Sequence, residues 1–188
     1  MEKTIDVTEI CGNHHAIRAL QVAAAGGHSI RFVGGWTTQA QELAIIAQAC
    51  GLKARASSPC PCGNWGHPFR ECTCSVEMVG RWMAREFHAR DRFDITVEVY
   101  EPEPEAAVEW ALEREERVVV VPDIGERGLP VSETARSLLL AAARTLRLHP
   151  RALKEVRSVA ETIALMAGER RIEAAHMAEA IQYRRNAK

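Results

Sequence analysis

The chain has 188 residues, is 47% hydrophobic but only 5% aromatic, and carries a formal net charge of −1. That length suits one domain with a small appendage or one two-lobed unit, its alanine-rich composition leans helical, and its charge gives no global pull toward nucleic acid or membrane. MEKTIDVTEICGN lacks the apolar core of a signal peptide and no window approaches a membrane span, so reducing, cytoplasmic surroundings are the expectation.

Thr8 is a candidate N-cap for HHAIRALQVAAAGG, where Ala16, Ile17, Leu20 and Ala24 recur at helical spacing and Gly26-Gly27 supplies a stop. His14 and His15 fall in its first turn. Adjacent helical residues point about 100° apart, which favours an exposed helix start over a metal pair. Ser29–Val33 reads as a short strand ending in Gly34-Gly35, followed by the helix TTQAQELAIIAQACG, with Thr37 or Thr38 as its cap.

Strand, glycine turn and helix is the arrangement of phosphate-binding loops, but the chemistry is absent. A P-loop needs G-x4-G-K-[ST]; Ala40 stands where the lysine belongs and Gln41 where the hydroxyl belongs. Gly34, Gly35, Thr37 and Thr38 are thus a degenerate loop, and no bound ATP is expected.

Lys53–Ser57 reads as a short strand leading into Pro59–Cys74, PCPCGNWGHPFRECTC. This loop holds four of the six cysteines as C-x-C-x9-C-x-C: Cys60, Cys62, Cys72 and Cys74. Two close thiolate pairs separated by a turn rich in Gly, Asn and Pro can converge on one tetrahedral centre, which suits structural zinc. His67, in the turn, is a candidate to replace one thiolate. The alternatives are reduced free thiols or, in an exported chain, disulfides. Trp65 and Phe69 are expected to fold the turn back against the body. Cys11 and Cys50, on expected helical segments, read as ordinary thiols.

Ser75 caps a helix over SVEMVGRWMAREFHAR, with Val76, Val79, Met83 and Phe87 on one face. Asp94–Tyr100 alternates strictly and reads as a half-buried strand. EPEPEAAVEWALEREER is an acidic helix opened by Pro104, with Ala107, Val108, Ala111 and Leu112 inward and its seven glutamates solvated or facing a basic partner. Val118–Val121, closed by Pro122, reads as a buried strand. The segment 122–130 is the clearest linker. Beyond it come three helices with short loops: SETARSLLLAAARTLRL capped by Ser132, HPRALKEVRSVAETIALMAG with Pro150 in its first turn, and IEAAHMAEAIQYRR with Ala174, Met177, Ile181 and Tyr183 packed. Together they form a small antiparallel bundle.

The order of these motifs resembles the ComM/YifB branch of the magnesium-chelatase-like AAA+ ATPases. The resemblance rests on GNHHAIRALQVAAAGGHSIRFVGG, SSPCPCGNWGHPFRECTCS, DRFDITVEV and RALKEVRSVAETIALMAGERRIEAAHMAEAIQYR. It implies an α/β fold: a reduced AAA+-like sheet-and-helix core over residues 1–121, the linker 122–130, and a C-terminal helical lid over 131–188. Three or four strands are expected in one sheet, Ile30–Val33, Ala54–Ser57 and Ile95–Val99 with Val118–Val121 as the fourth. The family's ATP-binding loop falls on Gly34–Gln41. The long family stretch that follows it, including the acidic strand that holds Mg²⁺, is replaced here by a direct passage from Gly51 to Ser58. Arg92 in DRFD matches the family's arginine finger and Arg151 the lid's sensor arginine; surface ion pairing is the alternative for both.

The resemblance thus implies an ATPase-inactive binding or adaptor module in DNA recombination or competence. Its expected partner is a protein, whether a full-length AAA+ relative or a second copy. The other reading is a residual ATPase subunit that binds nucleotide weakly or completes a partner's site. Arg81, Arg85, Arg90 and Arg92, with Arg170, Arg171, Arg184, Arg185 and Lys188, gather positive charge. The acidic helix opposes them, so only weak, salt-sensitive DNA binding is expected.

Overall fold

A computed structural model describes residues 3–34, 38–65, 67, 70–90, 93–113 and 116–185. Gly35, Trp36, Thr37, Phe69, Arg92 and Lys188 lie outside the described residues, as do the side chains of Thr38, Phe87, Arg90 and Arg185.

The elements in chain order are β1 (Lys3–Asp6), α1 (His14–Gly26), β2 (Ile30–Val33), α2 (Thr38–Ala49), β3 (Ala54–Ser57) and α3 (Val76–Arg90). There follow β4 (Ile95–Glu98), α4 (Pro104–Glu113), β5 (Val118–Val121), α5 (Glu133–Thr145), α6 (Pro150–Met166) and α7 (Ala174–Arg185). The mixed α/β class and the C-terminal helices are as the sequence implies. The sheet differs. Three strands form a parallel sheet in the order β3-β2-β4, while β5 pairs antiparallel with β1 in a separate two-stranded ribbon.

In the parallel sheet Ile30 lies beside Ala54 and Ile95, and Phe32 beside Ala56 and Val97, which puts these side chains on one apolar face. Arg31, Arg55 and Thr96 share the other face. Thr96 is only 1% exposed, so β4 is buried on both faces and is not the half-buried strand its alternation suggests. Parallel sheets are covered on both sides by their crossovers, which explains the difference. Arg31 is buried too, and its Nε donates to Ser57 Oγ at 2.8 Å.

The valine run also departs from expectation. Val118 is 54% and Val120 46% exposed; only Val121 is buried. In a two-stranded ribbon one face has nothing to pack against, so alternate valines stay in water.

α1 buries Ala16, Ile17, Leu20 and Ala23 and ends at Gly27, whose φ of 66° is the left-handed cap a glycine accepts without strain. Its start is not capped by Thr8. Thr8 instead accepts from the Arg117 N–H at 3.0 Å, and Asn13, itself left-handed, precedes the first turn. Ser132 accepts from the Ala135 N–H at 3.2 Å and His149 from the Ala152 N–H at 3.4 Å, which fixes the starts of α5 and α6.

α7 packs on both α5 and α6, and α6 on α1, so the helical part and the sheet share one hydrophobic core. The segment 122–130 is tied to that core: Glu161 accepts from the Gly128 and Leu129 N–H groups at 2.7 Å each. His28, 6% exposed, joins the α1–β2 turn to α6 through Thr162 Oγ1 at 2.8 Å. Burial pushes its pKa down from 6.5 to about 4; Asp94 opposes this and Arg127 reinforces it.

α3 and α4 are the least covered helices. In α3 Val79 is buried, but Val76 is 80% exposed, contrary to its expected inward face. In α4 none of the expected inward residues is buried. Ala107 and Trp110 are half-buried, whereas Val108 and Leu112 are 58% and 80% exposed.

Candidate functional site

The cysteine loop leaves β3 through Ser58, whose Oγ donates to the Cys60 carbonyl at 2.6 Å. A turn closed by the Gly63 N–H on the Cys60 carbonyl at 3.1 Å brings Cys62 back over Cys60. The return limb then sets Cys72 beside both. Sγ–Sγ separations are 3.5 Å for Cys60–Cys62, 3.7 Å for Cys60–Cys72 and 3.5 Å for Cys62–Cys72. Cys74 completes the cluster, with all four sulfurs within 4.8 Å of one another.

The donor set can hold a metal ion such as zinc. Four sulfurs at a Zn–S distance of about 2.3 Å on a tetrahedron lie about 3.8 Å apart, close to the separations here. They are well beyond the ~2.05 Å of a disulfide, and all six cysteines are free. Cys60 is fully buried and the other three are half-buried.

The thiols share protons unequally. The Asn64 N–H holds Cys62 down at about 5. At Cys72 the Cys74 N–H acts in the same direction, but desolvation and the neighbouring thiols outweigh it and push the group up to about 12. Desolvation also raises Cys74. Without a metal such a cluster keeps protons, which a divalent cation would displace.

His67 is not a ligand. Its Nε2 pairs with Glu101 Oε2, and its Nδ1 accepts from the Arg70 N–H at 3.1 Å, so both ring nitrogens are engaged outside the sulfur cluster. Trp65 does not fold back against the body: the residue is 44% exposed, although its backbone N–H donates to Cys60 Sγ at 3.3 Å. Trp82 of α3 anchors the loop instead, donating from Nε1 to the Ser58 carbonyl at 2.9 Å. The sequence reading missed both Trp82 and Glu101, because neither carries a local motif.

A second cluster lies at the carboxyl ends of β2 and β4, the edge where open α/β sheets bind ligands. The Asn13 amide crosslinks it. Nδ2 donates to the Tyr100 carbonyl at 2.9 Å, to Gln39 Oε1 at 3.0 Å and to the Cys11 carbonyl at 3.2 Å; Oδ1 accepts from the Tyr100 N–H at 2.9 Å. His15 Nε2 donates to the Glu98 carbonyl at 2.7 Å, while His14 is exposed. Gly34 donates its N–H to the Ser57 carbonyl at 3.0 Å. In the first turns of α2, Gln39 and Ala40 are buried, at 8% and 1% exposure, and Gln41 faces solvent.

Of the other expected residues that are described, Cys11 joins the second cluster only through its carbonyl, and Arg151, Arg184 and Cys50 take no part in the hydrogen bonds of either cluster. Arg151 is exposed and pairs with Glu155, one turn along α6, at 2.8 Å. Arg184, expected among the surface cations, is buried and pairs with the same glutamate. Cys11 lies in the loop before α1, not on a helix, and its burial raises its pKa. Cys50 sits half-buried in the turn after α2.

The family model described as magnesium chelatase, subunit ChlI, matches residues 6–50 and 48–107, and that for the subunit's C-terminal part matches 104–184. The chain belongs to the magnesium-chelatase-like AAA+ family. Its parallel sheet with α1 and α2 is therefore a reduced AAA+-like core, and α5–α7 fall within the ChlI C-terminal match. A search of the curated proteins found no match. Among the described residues, no helix is long and apolar enough to cross a membrane.

Proposed function

We propose that this chain is a cytoplasmic, ComM-like member of the family that does not hydrolyse ATP and serves as a zinc-stapled binding or adaptor module in DNA processing. The observation that carries the reading is Ala40. The resemblance puts the family's phosphate-binding lysine at this position, and here a methyl group, 1% exposed, packs into the hydrophobic core. Phosphoryl transfer depends on cationic groups placed against the phosphates, so a site without that lysine loses its main source of transition-state stabilisation.

Further support comes from the two pieces of the ChlI match, which meet at residues 48–50. This agrees with loss of the intervening family stretch that carries the Mg²⁺ carboxylates. β3 follows α2 directly and takes the place beside β2. The ion pair of Arg151 with Glu155 favours a structural role for the sensor arginine. Cys60, Cys62, Cys72 and Cys74 would hold zinc in a closed shell of four thiolates. With no open position for water or substrate, the metal would order the loop without taking part in a reaction.

The test of the adaptor role is affinity capture of the intact chain from its native cells at native abundance. Recovery of a full-length AAA+ relative or a DNA-processing protein is expected. Recovery of the chain alone would contradict it.

A further inference from the structure

The four sulfurs of the cysteine centre are not equally protected. Cys60 is fully buried, its Sγ accepts from the Trp65 N–H at 3.3 Å, and its carbonyl accepts from both Ser58 Oγ and the Gly63 N–H. Cys62, Cys72 and Cys74 are only half-buried. Oxidation of a thiolate follows its exposure, so these three stand within reach of a small solute while Cys60 does not.

The open sulfurs also belong to different limbs of the loop. Cys62 lies on the limb that leaves β3 and Cys72 on the limb that returns to α3, with their Sγ atoms 3.5 Å apart. A closure of about 1.5 Å brings that contact to the length of a disulfide. Cys62 is equally close to Cys60, at 3.5 Å, but that sulfur is shut away and a single intervening residue leaves the chain little slack.

We propose that the cysteine centre is a peroxide-responsive switch, in which oxidation joins Cys62 to Cys72 and empties the metal site. This rests on the zinc reading given above. The Cys62 thiolate attacks a hydroperoxide: an S–O bond forms, the O–O bond breaks, and hydroxide leaves when the oxidant is hydrogen peroxide. The Cys72 thiolate then attacks the Cys62 sulfur, forming the S–S bond and expelling the sulfenic oxygen as a second hydroxide. Two thiolates have given up two electrons, and both hydroxides take protons from solvent to become water. Cys60 and Cys74 remain as thiolates. Two ligands do not make the closed tetrahedral shell of a structural zinc site, so the metal is lost until a dithiol reductant restores the other pair.

The output lies at α3. Cys74 immediately precedes Ser75, whose Oγ accepts from the Met78 N–H at 3.2 Å in the first turn of that helix. A metal bond to Cys74 ties this turn to the loop. Once Cys62 is joined to Cys72 the loop stays closed, but the tie to α3 is gone.

The test treats the zinc-loaded chain with a small excess of hydrogen peroxide while a chromophoric chelator reports free zinc. Trypsin then cuts after Arg70, between the limbs, and mass spectrometry maps the alkylated peptides. Expected are release of the bound zinc, loss of two thiols, a Cys62–Cys72 link between the two limb peptides, and recovery of both thiols and zinc binding with a dithiol. Cys50→Ser, outside the cluster, should respond as the wild type does. Zinc retained with all four thiols free would overturn the proposal. So would zinc released through sulfinic acids, or through a disulfide to Cys50 or to another chain. A reduced chain that takes up no zinc would sink the zinc reading and the emptying of the site with it, whereas the peptide map of that same sample would still decide whether Cys62 and Cys72 pair.

Discussion

His28 should make the stability of this protein depend on acid in a way that one substitution removes. The imidazole is buried between the α1–β2 turn and α6, hydrogen-bonded to Thr162, and its pKa falls from 6.5 to about 4. Between those values the unfolded chain binds a proton that the folded one refuses. Stability therefore rises with pH across this window: the contribution is fully present above 6.5 and is lost as pH falls toward 4. At 1.36 kcal/mol per pKa unit the contribution is about 3 kcal/mol. Urea unfolding followed by circular dichroism from pH 7.5 to 4.5 would measure it, comparing the wild type with His28→Gln. Gln does not titrate and its amide still reaches for Thr162. Whatever offset separates the two proteins at neutral pH, the wild type should lose about 3 kcal/mol more than the variant on acidification. Parallel pH profiles for the two would refute the argument from burial.

Protein purified without chelator should carry roughly one zinc per chain, and Cys72→Ser should lose it, as elemental analysis would show. Zinc affinity measured by competition with a chromophoric chelator should fall in acid, because protons held by Cys72 and Cys74 compete for the sulfurs. Gly26→Ala should destabilise the fold by about 2 kcal/mol in urea titration, since the added Cβ would stand 2.3 Å from His28 Nε2 and 2.5 Å from Thr162 Oγ1. Glu155→Ala should cost about 3 kcal/mol in the same assay by leaving Arg184 buried without its carboxylate; an unchanged midpoint would show that the pair is dispensable.

The cysteine centre was legible in the sequence because its logic is local. Two C-x-C pairs across a nine-residue turn have little choice but to meet. The helix boundaries were legible for the same reason, through Gly27, Ser132 and Pro150. What the sequence hid was long-range. The pairing of His67 with Glu101, 34 residues away, removes a candidate ligand that spacing alone admits. Val118–Val121 reads as core, yet its partner is β1, a polar tetrapeptide with one buried residue, so half of the run stays wet. α4 has the period of a packed helix, but the body covers only its Ala107 and Trp110 side. Thr96 looks like a solvent-facing strand residue and is buried because the parallel sheet is covered on both faces.

Calorimetric titration of the zinc-loaded chain with Mg-ATP, paired with a phosphate-release assay on the same sample, tests the central claim most directly. With Ala40 packed in the core at the position where the resemblance puts the family's phosphate-binding lysine, the proposed reading expects neither binding in the micromolar range nor turnover. A Mg²⁺-dependent, low-micromolar ATP site on the isolated chain would contradict the account.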